Sequence, residues 1–248
     1  MITRHHVILA LICTLIVFSY FIFSNPFIIA IIIAGTCLGA ILPDIHMSRP
    51  RHFSFLTVAW GIVQVPRMLC ILVLGGIYAR LGYPAKDPFD KRLTHSLPGV
   101  LFIGIFSSVL IYVPAMRTHS VYAGYMGIFL GGIFLGLGFH MTEDLCTRKG
   151  IFPFFPFGIM KIGGSIRPCD RKDSRITLYQ IQACSILVIL TLVENLRLIS
   201  PDLVFTISIA GLATSLGVMI YASDVRICRD VAPANRLVIH PTSQSRDN

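Results

Sequence analysis

Residues 121–150 read VYAGYMGIFLGGIFLGLGFHMTEDLCTRKG. From Val121 to Phe139 no charge occurs, close to the ~20 apolar residues that cross a hydrocarbon core. Gly124, Gly127, Gly131, Gly132 and Gly136 recur at spacings of three and four, so small residues share a face where a second helix can approach closely. Polar chemistry begins directly after the run, with His140, Glu143 and Asp144.

Similar apolar runs recur on both sides of this stretch. Candidate helices are Val7–Phe23, Phe27–Leu42, Phe53–Leu81, Leu97–Val113, Val121–Phe139, Ile176–Val193 and Leu203–Tyr221. The 248 residues are 54% hydrophobic and 13% charged, with mean hydropathy +0.75, against roughly 25% charged in soluble domains. The reading is an all-α, polytopic helical bundle in a membrane, with about six spanning helices and one broken or re-entrant segment. Residues 1–221 form a single helical domain, and the basic tail 222–248 reads as disordered. The N-terminus imitates a secretion signal, but Ser24-Asn25-Pro26 stands where a small-residue cleavage site would, and it suits a helix cap followed by a first-turn proline. The first helix therefore turns back into a second.

The formal charge of +9 does not point to nucleic acid, because the basic residues fall between apolar runs and form no stripe with interleaved aromatics. The expected partner is membrane lipid. Seven cysteines contain no C-x-x-C pair, which argues against a disulfide framework or a thiolate zinc site.

Phe53–Leu81 is the unusual segment, since Gln64-Val65-Pro66-Arg67 interrupts it with a charge and a helix breaker. A Pro-kinked span with Arg67 facing the bundle is one reading; two short pieces meeting near Pro66–Arg67 and returning to the starting side is the other. If the segment returns, all of the 21 Lys and Arg except Arg67, Arg80, Arg117 and Arg197 share one face, which the positive-inside rule makes cytoplasmic. The same topology brings His6, Asp44, His95, His140 and Asp144 to that face, so the expectation is the return, made through a break.

His140 and Asp144 lie four apart, on one face of a helix, and form a workable pair of zinc ligands. Alone, the spacing also fits an interfacial His and a solvated Asp. Asp44 closes the second helix in Leu42-Pro43-Asp44, and His95 precedes the fourth in Thr94-His95-Ser96, where Thr94 is a candidate cap.

Taken together, His6, Leu42-Pro43-Asp44, Thr94-His95-Ser96 and His140-x-x-x-Asp144-x-x-Thr147-x-x-Gly150 resemble the YdjM family of membrane-bound, metal-dependent hydrolases over roughly residues 1–157. The resemblance implies a helical fold related to zinc-dependent phospholipase C and P1-type nucleases. It implies His6, Asp44, His95, His140 and Asp144 as ligands of a divalent metal, most readily zinc. Ala10 favours His6 over His5, because the family tends to carry Gly four positions after its histidine.

Two positions depart from the family pattern: His46 stands where it has Asp, and Asp90 where it often has His. If the two meet, the ligand character is conserved; if not, one metal is lost. The implied activity is phosphoester hydrolysis at the cytoplasmic face of the cell membrane, with lipid headgroups as substrates. Arg51, Lys91, Arg92, Arg148 or Lys149 would hold phosphate, and Glu143 or Asp90 would accept the proton as the catalytic base. A membrane metal-binding or transport protein without catalysis is the alternative, and a structural membrane protein with an inactive site a further one.

Overall fold

A computed structural model describes residues 3–47, 55–82, 91–118, 120–157, 160–170 and 172–229. In chain order the helices are α1 (Thr3–Val17), α2 (Phe21–Ser24), α3 (Pro26–Ile41), α4 (Phe55–Arg80), α5 (Lys91–Thr94), α6 (Leu97–Thr118), α7 (Ser120–Leu145), α8 (Arg175–Asn195) and α9 (Pro201–Ala222). Strand β1 (Met160–Gly163) pairs antiparallel with β2 (Arg226–Arg229). Among the described residues, five helical stretches are long and apolar enough to cross a membrane: Pro26–Asp44, Leu97–Pro114, Ala123–Leu145, Arg175–Asn195 and Leu203–Ala222. Large apolar side chains face outward along α6, α8 and α9, among them Ile105, Val109, Ile189, Leu192, Phe205 and Ile209. Such a surface needs lipid for solvent, and the molecule is an all-α membrane bundle.

The first helix begins earlier than expected, at Thr3, and yields to a turn at residues 18–20 before the short α2. Asn25 then caps α3, its side-chain oxygen accepting from the Ile28 N–H at 3.4 Å, with Pro26 in the first turn. This is the hairpin read from Ser24-Asn25-Pro26.

At the centre of the bundle α3 and α7 touch backbone to backbone. A Cβ added to Gly136 would lie 2.1 Å from the Thr36 carbonyl oxygen, and one on Gly39 would lie 2.1 Å from that of Ile133. Gly35 and Gly132 complete the seam. Of the glycines singled out on this helix, Gly132 and Gly136 pack here; a Cβ at Gly124, Gly127 or Gly131 would meet nothing within 4 Å. One apolar cluster joins α1, α8 and α9 on one side of the seam, and a second joins α4, α6 and α7 on the other.

The expected break in the Phe53–Leu81 segment is absent. Helix α4 is continuous for 26 residues, with Pro66 inside it. Its buried positions Arg67, Cys70 and Tyr78 recur at helical spacing, and Ile71 and Leu74 pack beside them. Burial along this stripe outweighs the ~3 kcal/mol that one internal proline costs. In α4, Cys70 Sγ donates to the Gly99 carbonyl at the start of α6, and the Tyr78 ring meets Phe155 and Phe157 beyond α7. Because Asp44 before α4 and His95 after it approach to 3.3 Å, the segment returns to its starting end, and it does so without a break in the helix. The expectation had tied the return to a break; the two are independent.

After α9, Arg226–Arg229 of the sequence-read tail form β2 on β1, and residues 230–248 lie outside the described residues. Ser165 N–H donates to the Ser223 carbonyl at 2.7 Å, and Arg175 holds Asp173 in a two-pronged contact at 2.7 and 2.8 Å, so the segment after α7 is fastened to both α8 and α9.

Candidate metal centre

Because α7 runs on to Leu145, past the expected end at Phe139, His140, Glu143 and Asp144 all project from regular helix. His140 follows Gly136 by one turn, and the close seam carries its ring onto α3, where Nδ1 donates to the Ala40 carbonyl at 2.8 Å. That hydrogen bond fixes the tautomer and leaves Nε2 facing inward.

His6 is fully buried on α1, while His5, one position earlier and about 100° around the helix, is half-buried. Its Nδ1 donates to Glu143 Oε2 at 2.7 Å, and its Nε2 is buried without a hydrogen-bond partner. Asp44 sits in the 3₁₀ turn Leu42–Met47 that ends α3. His95 lies between α5 and α6, its Nδ1 3.0 Å from Thr94 Oγ1. Ser96, in place of the expected Thr94, caps α6: its hydroxyl accepts from the Gly99 N–H at 3.2 Å and donates to the Leu93 carbonyl at 3.0 Å.

These side chains meet. His95 Nε2 is 3.3 Å from His140 Nε2, 3.3 Å from Asp44 Oδ1 and 3.6 Å from Asp144 Oδ2. His140 Nε2 is also 3.6 Å from Asp144 Oδ2. His6 Nε2 lies 3.4 Å from Asp144 Oδ1 and 4.0 Å from Asp44 Oδ2, and its ring stacks on that of His140 at 4.1 Å between centroids. Every member is buried, Asp144 being the most exposed at 7%. Burial holds the His95 imidazole below its ordinary pKa, so it is neutral at physiological pH, as a ligand must be.

The donor set fits a divalent metal. Three imidazole nitrogens and carboxylates from two aspartates converge, with ligand atoms of His6, Asp44 and His140, and of His95, His140 and Asp144, mutually within 4.8 Å. Burying these carboxylates is costly unless positive charge accompanies them, and an orphaned inward nitrogen is costly on its own account. A cation at the centre relieves both.

All five expected ligands are therefore brought together. Glu143, read as a proton acceptor, stands behind His6 and orients it. The Asp90 position and the His46 side chain lie outside the described residues. Thr147 and Gly150 of the longer motif are structural: Thr147 closes the end of α7 by donating to the Asp144 carbonyl at 2.9 Å, and Gly150 turns with φ +61° against Ile162. Arg67 and Gln64, which the sequence reading took as an interruption of the segment and not as part of the site, are buried on α4. The signal was present, since a charge inside an apolar run marks a site by default.

Fold and centre define a polytopic membrane protein with a buried histidine–aspartate cluster at one end of its bundle. The sequence profile of the YdjM inner membrane protein family matches residues 1–224, well beyond the stretch carrying the motifs, and the chain belongs to that family. No curated protein and no solved structure gives a significant match to it.

Proposed function

We propose that this chain is a membrane-bound, metal-dependent hydrolase that cleaves phosphoesters, with lipid headgroups as the substrate class nearest the site. The observation that carries the reading is the convergence of His6, Asp44, His95, His140 and Asp144, with the far nitrogens of His6 and His140 tied to Glu143 and Ala40 so that their Nε2 atoms face inward. Zinc suits this borderline donor set. When bound, the metal supplies a Lewis acid and lowers the pKa of water to about 7.

The chain's own residues do the rest. Glu143 and Ala40 hold two imidazoles in the ligating tautomer, and the surrounding helices exclude bulk water. Asp144, at the most exposed edge, marks the side from which substrate enters. Arg92, its guanidinium 5.4 Å from the Phe155 ring centroid, and Arg148 just beyond Asp144 supply cations for a phosphate. With Glu143 engaged by His6, Asp90 is the proposed proton acceptor. The concentration of Lys and Arg at this end supports a cytoplasmic site. All five ligands lie at span ends, which favours hydrolysis over ion transport through the bundle.

Protein purified in detergent without chelator tests the reading. We expect at least one equivalent of transition metal per chain and hydrolysis of a phosphodiester or of phospholipid in mixed vesicles, both abolished by His140→Ala. Less than about half an equivalent of metal overturns it.

A further inference from the structure

Away from the metal centre, a cleft of about 560 Å³ runs between α1 and α8, lined by Ile8 and Ile12 of α1 and by Gln180, Cys184, Ser185 and Val188 of α8. Both sets recur at helical spacing, so the cleft follows the two helices. It opens outward, since Ile8 and Val188 remain 45% and 53% exposed. Among the described residues no charged side chain lines it, and its α8 wall lies within the candidate span Arg175–Asn195, at the depth of lipid. The volume is that of a ligand site, ~300–1,000 Å³.

Both helices start at the same end of the bundle: His6 of α1 bonds Glu143 near the end of α7, and Arg175 at the start of α8 donates to Ser165, beside the bridge between Ile166 and Thr147. Unmet polarity gathers toward that end. Gln180 Nε2 is buried with no hydrogen-bond partner among the described residues, and so is Nδ1 of His5, one turn before Ile8 on the same face of α1. Deeper in the cleft, Ser185 gives its hydroxyl to the Ile181 carbonyl of its own helix at 2.9 Å and leaves nothing unmet. An apolar trough with orphaned polar atoms toward one end has the polarity of an amphiphile.

We propose that the cleft binds one phospholipid, an acyl chain lying along Ile8, Ile12 and Val188 and its ester carbonyl accepting from Gln180 Nε2. Gln180 stands five residues into α8, about 7.5 Å below the helix start, and the interfacial layer that holds headgroups and esters is ~5–7 Å deep on each side of a bilayer. The terminal amide torsion is soft, so Nε2 turns into the cleft at little cost. A partner helix would cover the apolar stripe but has its own carbonyls committed internally, and the amide would stay unmet; an ester carbonyl is free to accept. The site lies on the face of α1 that carries His5, Ile8 and Ile12, not the one that carries His6, so it does not rest on the hydrolase reading.

Full-length protein, delipidated in a polyoxyethylene ether detergent with chelator present to prevent turnover, is titrated with diester phosphatidylglycerol or its diether analogue, and bound lipid is counted by native mass spectrometry. We expect one lipid per chain to bind ahead of the rest, the ester favoured about 5-fold over the ether, the worth of one hydrogen bond. Gln180→Leu abolishes that preference and keeps the binding of the chain. Ser185→Phe, which puts a ring into the cleft from an exposed position, weakens both lipids at least ~10-fold. Leu192→Phe, exposed on the same helix but outside the cleft, binds as the wild type does and shows that the added ring leaves the fold intact. Equal affinity of the wild type for ester and ether, or equal binding by the wild type and Ser185→Phe, overturns the site and leaves adventitious lipid on an apolar surface. Neither result bears on the metal centre, which metal content tests separately.

Discussion

The histidine pair at the start of α1 separates two kinds of information. His6 is buried in the cluster and His5 is not, a difference of helical phase that the small residue Ala10, fully buried one turn away, already marked. The role of Glu143 was not legible in the same way. Three residues from His140 it reads as a free carboxylate beside a ligand, and only the arrival of α1 from 137 positions away shows that His6 claims it. Long-range pairing of this kind leaves no spacing in a sequence. Glu143→Leu removes the acceptor and should lower overall metal affinity about 10- to 100-fold. Glu143→Gln, which still offers a carbonyl oxygen to Nδ1–H, should lose less, and chelator competition measures the difference.

Helices were easier to read than their contacts. Apolar length set the spans, and Asn25-Pro26 set the first hairpin, yet the seam between α3 and α7 needed knowledge of which glycine faces which backbone. Gly136→Ala pushes a methyl group into the Thr36 carbonyl and should cost about 1–3 kcal/mol, with loss of metal because His140 is drawn from Ala40. Gly131→Ala, which meets nothing within 4 Å, should be neutral or better; thermal unfolding in one detergent distinguishes the two. At the entry to α8, Arg175 holds the Asp173 carboxyl well below the usual carboxylate range. A carboxyl so depressed stabilises the fold fully above its unfolded value of ~3.9 and loses that contribution as the pH falls through the lower folded value. Asp173→Asn should therefore reduce stability at pH 7 and narrow its gap to the wild type under strong acid, as followed by helical circular dichroism. The break expected in α4 was misjudged for a related reason: Pro66 is visible in the sequence, and the buried stripe that carries the helix through it depends on partners far along the chain.

At the scale of the whole molecule, the ends of the bundle differ in kind. Both strands and all five ligands gather at one end. In a background lacking native cysteines, cysteines placed at Arg92, Lys172 and Arg226 should be labelled from one side of the membrane and one at Arg197 from the other. Labelling of Arg92 and Lys172 from opposite sides would refute the arrangement. The continuous α4 has a consequence of another sort. At 26 residues it is about 39 Å long, enough to cross a bilayer. It lies between Asp44 and His95, which nonetheless approach to 3.3 Å, so the chain between them makes an even number of crossings. Were α4 inserted, every later helix would be inverted, and His95, His140 and Asp144 would be parted from His6 and Asp44 by the thickness of the membrane. A metal held by these five side chains would thus act as a parity check on biogenesis: only a correctly threaded chain could bind it, and a misthreaded copy would keep its carboxylates without the cation that makes them tolerable.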